Sequence, residues 1–326
     1  VCDQTDIFFD SLKFYKTGSD SLRSALHYSV GSRARMEHTD IRAHAAMGLC
    51  GLMENLKNID VPPRIAFVAM FRDPIDRLIS ALNMAARTSW LAFQRKCCIR
   101  GSNRTYDCSS AAIRSIPDCA WHASGRPMPW SSPGPDLNSN VKAIINATVL
   151  ERLKACSWHR PCGQVTSEMM IQQAHTCASM ANPSRFYLWP IETYAPVFQP
   201  AGDNVSSIAR YLADNFVVGT TQNMSQLFSL LSRILRSDSR ATTECMEPYF
   251  QYNPAAANVH GGSWPDVDCT RDELSYQTIM ELTIKMRTGF GIFFEAERIF
   301  EKQMAGVLPL PVHNFSALRR QYSCMW

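Results

Sequence analysis

A short polar segment near the start of the chain carries the first residues that could do chemistry. It reads Lys16-Thr17-Gly18-Ser19-Asp20-Ser21-Leu22. The segment follows the apolar, β-prone residues 7–14 and precedes a helical pattern, so it predicts a turn between a strand and a helix. Backbone N–H groups at such a turn, together with the positive end of the helix dipole, bind phosphate-like anions. The segment therefore predicts an anion site, the alternative being a simple turn with a serine N-cap.

A second group of such residues follows the apolar run 65–71, which predicts a buried strand of a parallel sheet. Arg72 stands directly after this strand, at the edge where α/β sheets bind ligands. Pro74 favours a helix start, and Ser80 lies two turns into that helix on roughly the same face as Arg77. Arg72 and Ser80 could hold a second phosphate. The alternative is an Arg72–Asp73 pair that only structures the turn.

The rest of the chain supplies elements that could position these groups. Apolar periodicity predicts helices over 205–212 and 224–234, with a buried strand at 216–218 between them. Residues 271–304 predict one long amphipathic helix, or two interrupted near Gly289 and Gly291. Strands that alternate with helices indicate an α/β fold with a central parallel sheet flanked by helices. We expect one domain over residues 1–326, with an irregular, cross-linked insertion at about 89–140.

The cysteines and glycosylation sequons indicate an oxidising compartment. The chain has 12 Cys, and their spacing does not match a zinc site. An even count favours disulfides, and the close pair Cys156 and Cys162 could close a small loop. Asn-X-Ser/Thr sequons begin at Asn103, Asn146, Asn204, Asn223 and Asn314. We therefore expect a protein of the secretory pathway.

Charge and hydropathy limit the partners of the chain. A net charge of +4 is too small to indicate nucleic-acid binding. Of the 33 basic residues, 25 are Arg, whose planar guanidinium suits sulfates, phosphates and carboxylates. The sequence contains no apolar run of transmembrane length, so membrane attachment would need an anchor absent from this chain. No acidic cluster indicates a metal.

Taken together, the motifs KTGSDSL and FRDPIDRLIS resemble the 5′-phosphosulfate loop and the 3′-phosphate motif of sulfotransferases. More narrowly, the chain resembles the heparan sulfate and uronyl 2-O-sulfotransferases. That branch has the loop, a short histidine-containing segment, an RDP motif and a VGVTE-type strand end in this order. Here the histidine segment is Arg42-Ala43-His44-Ala45, and the strand end is Val218-Gly219-Thr220-Thr221-Gln222. The order and approximate spacing of these motifs match over about 220 residues, while the insertion and the C-terminal third match only in outline.

The resemblance implies a P-loop-like sulfotransferase fold and roles for individual residues. The donor would be 3′-phosphoadenosine 5′-phosphosulfate (PAPS), with no metal. Lys16 would stabilise the leaving phosphate of an in-line displacement, assisted by the backbone amides of residues 17–22. Arg72 and Ser80 would bind the 3′-phosphate, and Thr221 would lie near the nucleotide. His44 would be the general base, with His38 as a rival about one and a half helical turns earlier.

The implied acceptor is a hydroxyl of a polysaccharide or glycan, neutral or anionic, with the 2-O position of a uronic acid as one candidate. The implied location is the Golgi lumen, with a type II membrane anchor in the full-length protein. Two alternatives stay open: a sulfotransferase for protein tyrosine or a small hydroxylated metabolite, and an inactive secreted protein that binds glycans or nucleotides. Tyr15 and Asp20 depart from the family pattern, which has proline and Ser or Thr there.

Overall fold

The protein is described from a computed structural model. The structure describes residues 6–13, 22, 26, 34–38, 64–83, 98–101, 106–107, 111–112, 115, 162–180, 194, 204–236 and 269–321. The chain divides into two compact units. The first comprises Val1–Arg77, Glu192–Gly261 and Met286–Trp326, and the second comprises Leu78–Ile191 and Gly262–Lys285. The expectation of one domain stays a prediction.

The secondary structure of the described residues alternates between strands and helices. The strands are β1 (Ile7–Lys13), β2 (Ala34–His38), β3 (Arg64–Phe71), β4 (Ile99–Arg100), β5 (Tyr106–Asp107), β6 (Phe216–Thr220) and β7 (His313–Asn314). The helices are α1 (74–83), α2 (Ser167–Met180), α3 (Val205–Asn215), α4 (Met224–Arg236), α5 (Tyr276–Lys285), α6 (Arg287–Met304) and α7 (Phe315–Gln321). The strands and helices predicted at 65–71, 205–212, 216–218 and 224–234 are confirmed. The class is α/β, as expected.

The first unit contains a sheet whose strands follow the order β2-β1-β3-β6, all parallel. The short strand β7 makes the sheet mixed, because it pairs with β3 in the antiparallel direction. β6 pairs with β3 only from Phe67 onward, and β7 occupies the same side of β3 beside Arg64 and Ile65. The expectation of a wholly parallel sheet therefore needs this correction. β7 has only two residues, too few for an alternation pattern to be visible in the sequence.

The core of the first unit is formed by the sheet and the helices that pack on it. From Ile65 to Phe71 every residue of β3 is fully buried, as the unbroken apolar run requires of a strand covered on both faces. Leu22 and Leu26 are helical and belong to the same core. Within β6, Gly219 lets α4 approach closely, because a Cβ there would lie 2.5 Å from Leu227 Cδ2.

A buried glutamine of α6 pairs with the outer edge of β6. Gln303 Nε2 donates to Phe216 O at 2.8 Å, and Val218 N donates to Gln303 Oε1 at 3.0 Å. The side-chain amide thus makes the two hydrogen bonds that a further strand would make. Among the described strands, β6 stands at one end of the sheet order, and this contact covers part of its outer side. Arg233 fastens the end of α6, donating to the carbonyls of Gln303 and Met304.

The interruption expected near Gly289 and Gly291 lies elsewhere. The chain leaves helical geometry at Met286, between α5 and α6, and both glycines lie inside α6. Gly291 serves close packing, because a Cβ at this position would lie 3.0 Å from Val205 Cγ2 of α3. Gly291 therefore marks a helix–helix contact. The helix break predicted near Gly289 and Gly291 was wrong in position.

The second unit is fastened by a disulfide and by hydrogen bonds. Cys162 is bonded to Cys269, with their Cα atoms 5.5 Å apart, so Cys162 does not close the small loop with Cys156 that their spacing allowed. Asn83 makes two hydrogen bonds to the backbone of Cys269, and Thr278 Oγ1 donates to Val165 O. Of the insertion expected at 89–140, the structure describes the hairpin β4–β5 and a few further residues.

Candidate functional site

The carboxyl ends of three neighbouring parallel strands define the candidate site. In the order β1-β3-β6, Leu12 pairs with Ala69, and Phe71 pairs with Thr220. The three strands thus end at one edge of the sheet. Arg72 follows β3 and Thr221 follows β6, so these two predicted site residues lie at adjacent strand ends. This edge is where parallel α/β sheets bind ligands.

A buried tyrosine holds the backbone of Arg72 from both sides. The Tyr194 hydroxyl accepts a hydrogen bond from Arg72 N at 3.0 Å and donates one to Arg72 O at 2.7 Å. Its ring packs against Phe71, with the ring centroids 5.0 Å apart. The residue after β3 is therefore fixed at both of its peptide groups, while its side chain stays partly exposed.

Asp73 begins the helix that follows. Its Oδ1 accepts from Ile75 N at 2.9 Å and from Asp76 N at 3.1 Å, which makes Asp73 the N-cap of α1. Pro74 occupies the first helical position, which needs no N–H donor. Asp73 as a whole residue is only 9% exposed. The RDP sequence thus ends a strand, caps a helix and leaves Arg72 as the cation at the edge.

Burial and nearby charges together shift the pKa of the Tyr194 hydroxyl. Burial raises the pKa of Tyr194 to about 12, against the opposing effect of the positive charge on Arg77. Arg77 is itself buried, with 1% of its surface exposed. At neutral pH the hydroxyl is protonated, as it must be to donate to Arg72 O. Tyr194, Arg72, Asp73 and Arg77 thus form one electrostatic cluster behind the strand end.

Thr221 adds a direct connection between the ends of β3 and β6. Its Oγ1 donates to Phe71 O at 3.1 Å, so the hydroxyl hydrogen serves the backbone and the oxygen can still accept. Thr221 is partly exposed, whereas Thr220 is fully buried. Thr221 thus lies beside the residue that precedes Arg72. Its predicted contact with a nucleotide stays a prediction.

The structure places three of the other predicted site residues and does not describe the rest. Ser80 is partly exposed in α1, one turn after Arg77. Leu22 is 1% exposed and belongs to the core, so only its backbone could serve a ligand. His38, expected on a helix, instead ends strand β2, opposite Lys13 of β1. The remaining predicted residues lie outside the described ones, namely Lys16, Thr17, Gly18, Ser19, Asp20, Ser21 and His44.

Sequence reasoning assigned no role to two residues of this cluster, Tyr194 and Arg77. Tyr194 lies 122 residues further along the chain, and no periodic pattern around it indicates a role. Arg77 follows Asp73 by one helical turn, and a four-residue acid–base spacing could have indicated their proximity. Its burial was not predictable from a residue type that is mostly exposed.

Among the described residues, no group of three His, Cys, Asp or Glu side chains is placed to hold a metal ion. The described helices also include none that is long and apolar enough to span a membrane. No protein-family model, no curated protein and no solved structure matches this chain. The functional assignment must therefore come from the site.

Proposed function

We propose that the chain is a PAPS-dependent O-sulfotransferase with a P-loop-like fold, acting on a hydroxyl of a glycan in the Golgi lumen. One observation carries the proposal. The three segments assigned to the donor follow the carboxyl ends of β1, β3 and β6, which are neighbours in a parallel order. Segments far apart in the sequence thus begin at a common edge, which a nucleotide with two phosphate groups needs.

The residues around Arg72 suit a doubly charged phosphate. Arg72 is partly exposed, and the backbone that carries it is held by Tyr194. The nearest carboxylate in the sequence, Asp73, is buried and accepts two backbone hydrogen bonds as the N-cap of α1. Arg77 adds a second positive charge behind the strand end. A guanidinium whose backbone is fixed loses less conformational freedom when it binds phosphate.

The proposed chemistry assigns one task to each group. The donor supplies an activated sulfuryl group. Lys16 and the loop amides stabilise negative charge on the 5′-phosphate oxygen as it leaves. His44 removes the proton from the acceptor hydroxyl, a task suited to an imidazole whose ordinary pKa is about 6.5. His38 is the alternative base, at the end of the strand beside β1.

A transfer assay tests this function. The full chain is supplied with PAPS labelled in its sulfuryl group and with acceptors of three classes: a partly desulfated uronic-acid polysaccharide, a tyrosine-containing acidic peptide and a small phenol. We expect label on the polysaccharide. Label only on the peptide or the phenol contradicts the glycan assignment, and no label with folded protein contradicts the transferase assignment.

Matched histidine variants identify the base. We expect His44→Ala to lower turnover by about 10²–10⁴-fold while the affinity for 3′-phosphoadenosine 5′-phosphate stays unchanged. We expect His38→Ala to keep most of the activity. The reverse result would assign the base to His38, and full activity in both variants would remove histidine from the mechanism.

A further inference from the structure

A small cleft opens between α3 and α6 in the first unit, and it shares no residue with the proposed transfer site. Its volume is about 280 Å³. Helix α3 contributes Ser206, Ala209, Arg210 and Ala213, whose three- and four-residue spacing places them on one face. The volume lies just below the range of about 300–1,000 Å³ that is usual for small-molecule pockets. The cleft can therefore accommodate one small ligand unit.

The charges around the cleft are mainly positive. Arg210, Arg298 and Lys302 line it, together with the single carboxylate of Glu295. Glu295 accepts hydrogen bonds from Arg298 Nε and Nη2, at 3.0 and 2.6 Å. Among the residues that the structure describes, Arg210 and Lys302 have no ion-pair partner. Two positive charges from different helices thus remain uncompensated on either side of one cleft.

The floor of the cleft is apolar. Ala209 and Ala213 of α3 lie opposite Ile299 of α6, and Leu308 completes the lining. Ala209 and Ile299 are 8% and 4% exposed, so this floor is continuous with the core. The small alanine side chains are what leave the space open. A ligand that fits would place an apolar face on the floor and its anionic groups toward Arg210 and Lys302.

We propose that this cleft binds an acidic sugar unit, through a sulfate or carboxylate held by Arg210, Lys302 and Arg298. A sugar ring offers a C–H face for the alanine floor, while its anionic substituent meets the guanidinium and ammonium groups. Ser206, at the first turn of α3, adds a hydroxyl for a ring oxygen or hydroxyl group. The site stands on its own geometry, so it does not depend on the proposed transfer reaction.

Calorimetric titration of the full chain with a heparin-derived tetrasaccharide tests the site. A neutral oligosaccharide of equal length and inorganic sulfate serve as comparison probes. We expect the tetrasaccharide to bind and the neutral sugar not to bind, with affinity falling as salt rises. Equal affinity for inorganic sulfate would contradict recognition of the sugar ring. Binding of anionic phospholipid vesicles in place of the tetrasaccharide would assign the surface to a membrane and overturn the proposal.

Charge-matched variants locate the binding. Arg210→Ala with Lys302→Ala should weaken tetrasaccharide binding by about tenfold or more, the size of charge-assisted contacts. Lys285→Ala with Arg287→Ala removes the same charge from exposed positions outside the cleft and should leave the affinity unchanged. An equal loss in both pairs would mean non-specific attraction and would overturn the site.

A variant that binds the tetrasaccharide more tightly cannot be explained by loss of folding. Glu295→Gln removes the one carboxylate of the cleft and should tighten tetrasaccharide binding by about two- to fivefold. Ala213→Leu should weaken binding by filling the floor without changing charge. Unchanged affinity in both variants would contradict the proposed position of the ligand. Affinity for 3′-phosphoadenosine 5′-phosphate should be the same in all four variants, so failure of the proposed donor site would be seen separately.

Discussion

The hydroxyl of Tyr194 holds both peptide groups of Arg72, accepting from its N–H and donating to its carbonyl. A residue between a strand and a helix would otherwise leave these two groups to water. With the ring packed on Phe71, the tyrosine fixes the point at which the chain leaves the sheet. The position of the Arg72 side chain, and thus of the proposed phosphate site, depends on this contact.

Removing this hydroxyl should affect both stability and donor binding. Tyr194→Phe keeps the ring contact with Phe71 but leaves the N–H and carbonyl of Arg72 without their partner. We expect the free energy of unfolding in urea to fall by about 1–3 kcal/mol, with weaker binding of 3′-phosphoadenosine 5′-phosphate. The control Tyr276→Phe, at a residue 77% exposed, should change stability by less than about 0.5 kcal/mol. A Tyr194→Phe variant as stable as the control would show that the contact contributes nothing.

The glutamine that pairs with β6 offers a second test, of the sheet itself. Gln303→Met keeps the side-chain volume but removes the hydrogen bonds of Gln303 to Phe216 O and Val218 N at a buried position. We expect a loss of about 2–5 kcal/mol in the free energy of unfolding, measured in urea. Gln277→Met, at an exposed position of α5, is the control and should cost little. Equal stability of the two variants would refute the role of Gln303.

The cysteine pairing of the second unit can be read directly. Peptide mapping of unreduced protein should link the peptide with Cys162 to the peptide with Cys269. Replacing both cysteines by Ala should lower the free energy of unfolding by about 2–4 kcal/mol, because the bond closes a long loop in the unfolded chain. A peptide linking Cys162 to Cys156 would contradict the structure and restore the pairing expected from the sequence.

Asn204 combines a helix cap with a glycosylation sequon. Its Oδ1 accepts from Ser207 N at 2.8 Å at the start of α3, which leaves Nδ2 available to carry a glycan. Asn204→Ala should cost about 1 kcal/mol in unfolding free energy, whereas Asn204→Asp keeps the cap and should cost little. Ser206→Ala keeps the cap and removes the sequon, together with one hydroxyl of the cleft between α3 and α6. In protein from a secretory host, all three variants should lose one glycosidase-sensitive mass shift, and no such shift in the wild type would contradict use of this sequon.

The parts of the fold that the sequence predicts are those built from continuous apolar runs. β3 and β6 are buried on both faces, so their apolar runs are sufficient evidence for strands. β2 was missed because its sequence, Ala34 to His38, includes Arg, Glu and His. Among the described strands, β2 stands at one end of the sheet order. No apolar run exists there for a pattern to detect. The pairing of Arg64 with Asn314 in β7 joins parts of the chain too distant for local patterns.

In the candidate site, too, features set by the local sequence were predictable and contacts between distant parts of the chain were not. The position of Arg72 follows from the end of an apolar run and a proline that starts a helix, so its place at the sheet edge was predictable. Its support by Tyr194 is a tertiary contact across 122 residues, which nothing local encodes. The position of Gly291 against Val205 was misinterpreted for the same reason, since a glycine in a helix has the same sequence signal at a break and at a close contact.

The central claim is that Arg72 at the end of β3 binds a nucleotide 3′-phosphate. Calorimetric titration with 3′-phosphoadenosine 5′-phosphate, with adenosine monophosphate as the control ligand, tests it most directly on the wild type and on Arg72→Ala. We predict binding that requires the 3′-phosphate, and a loss of about 1.5–3 kcal/mol of that affinity in the variant. Equal affinity for both nucleotides, or an undiminished affinity in Arg72→Ala, would contradict the account.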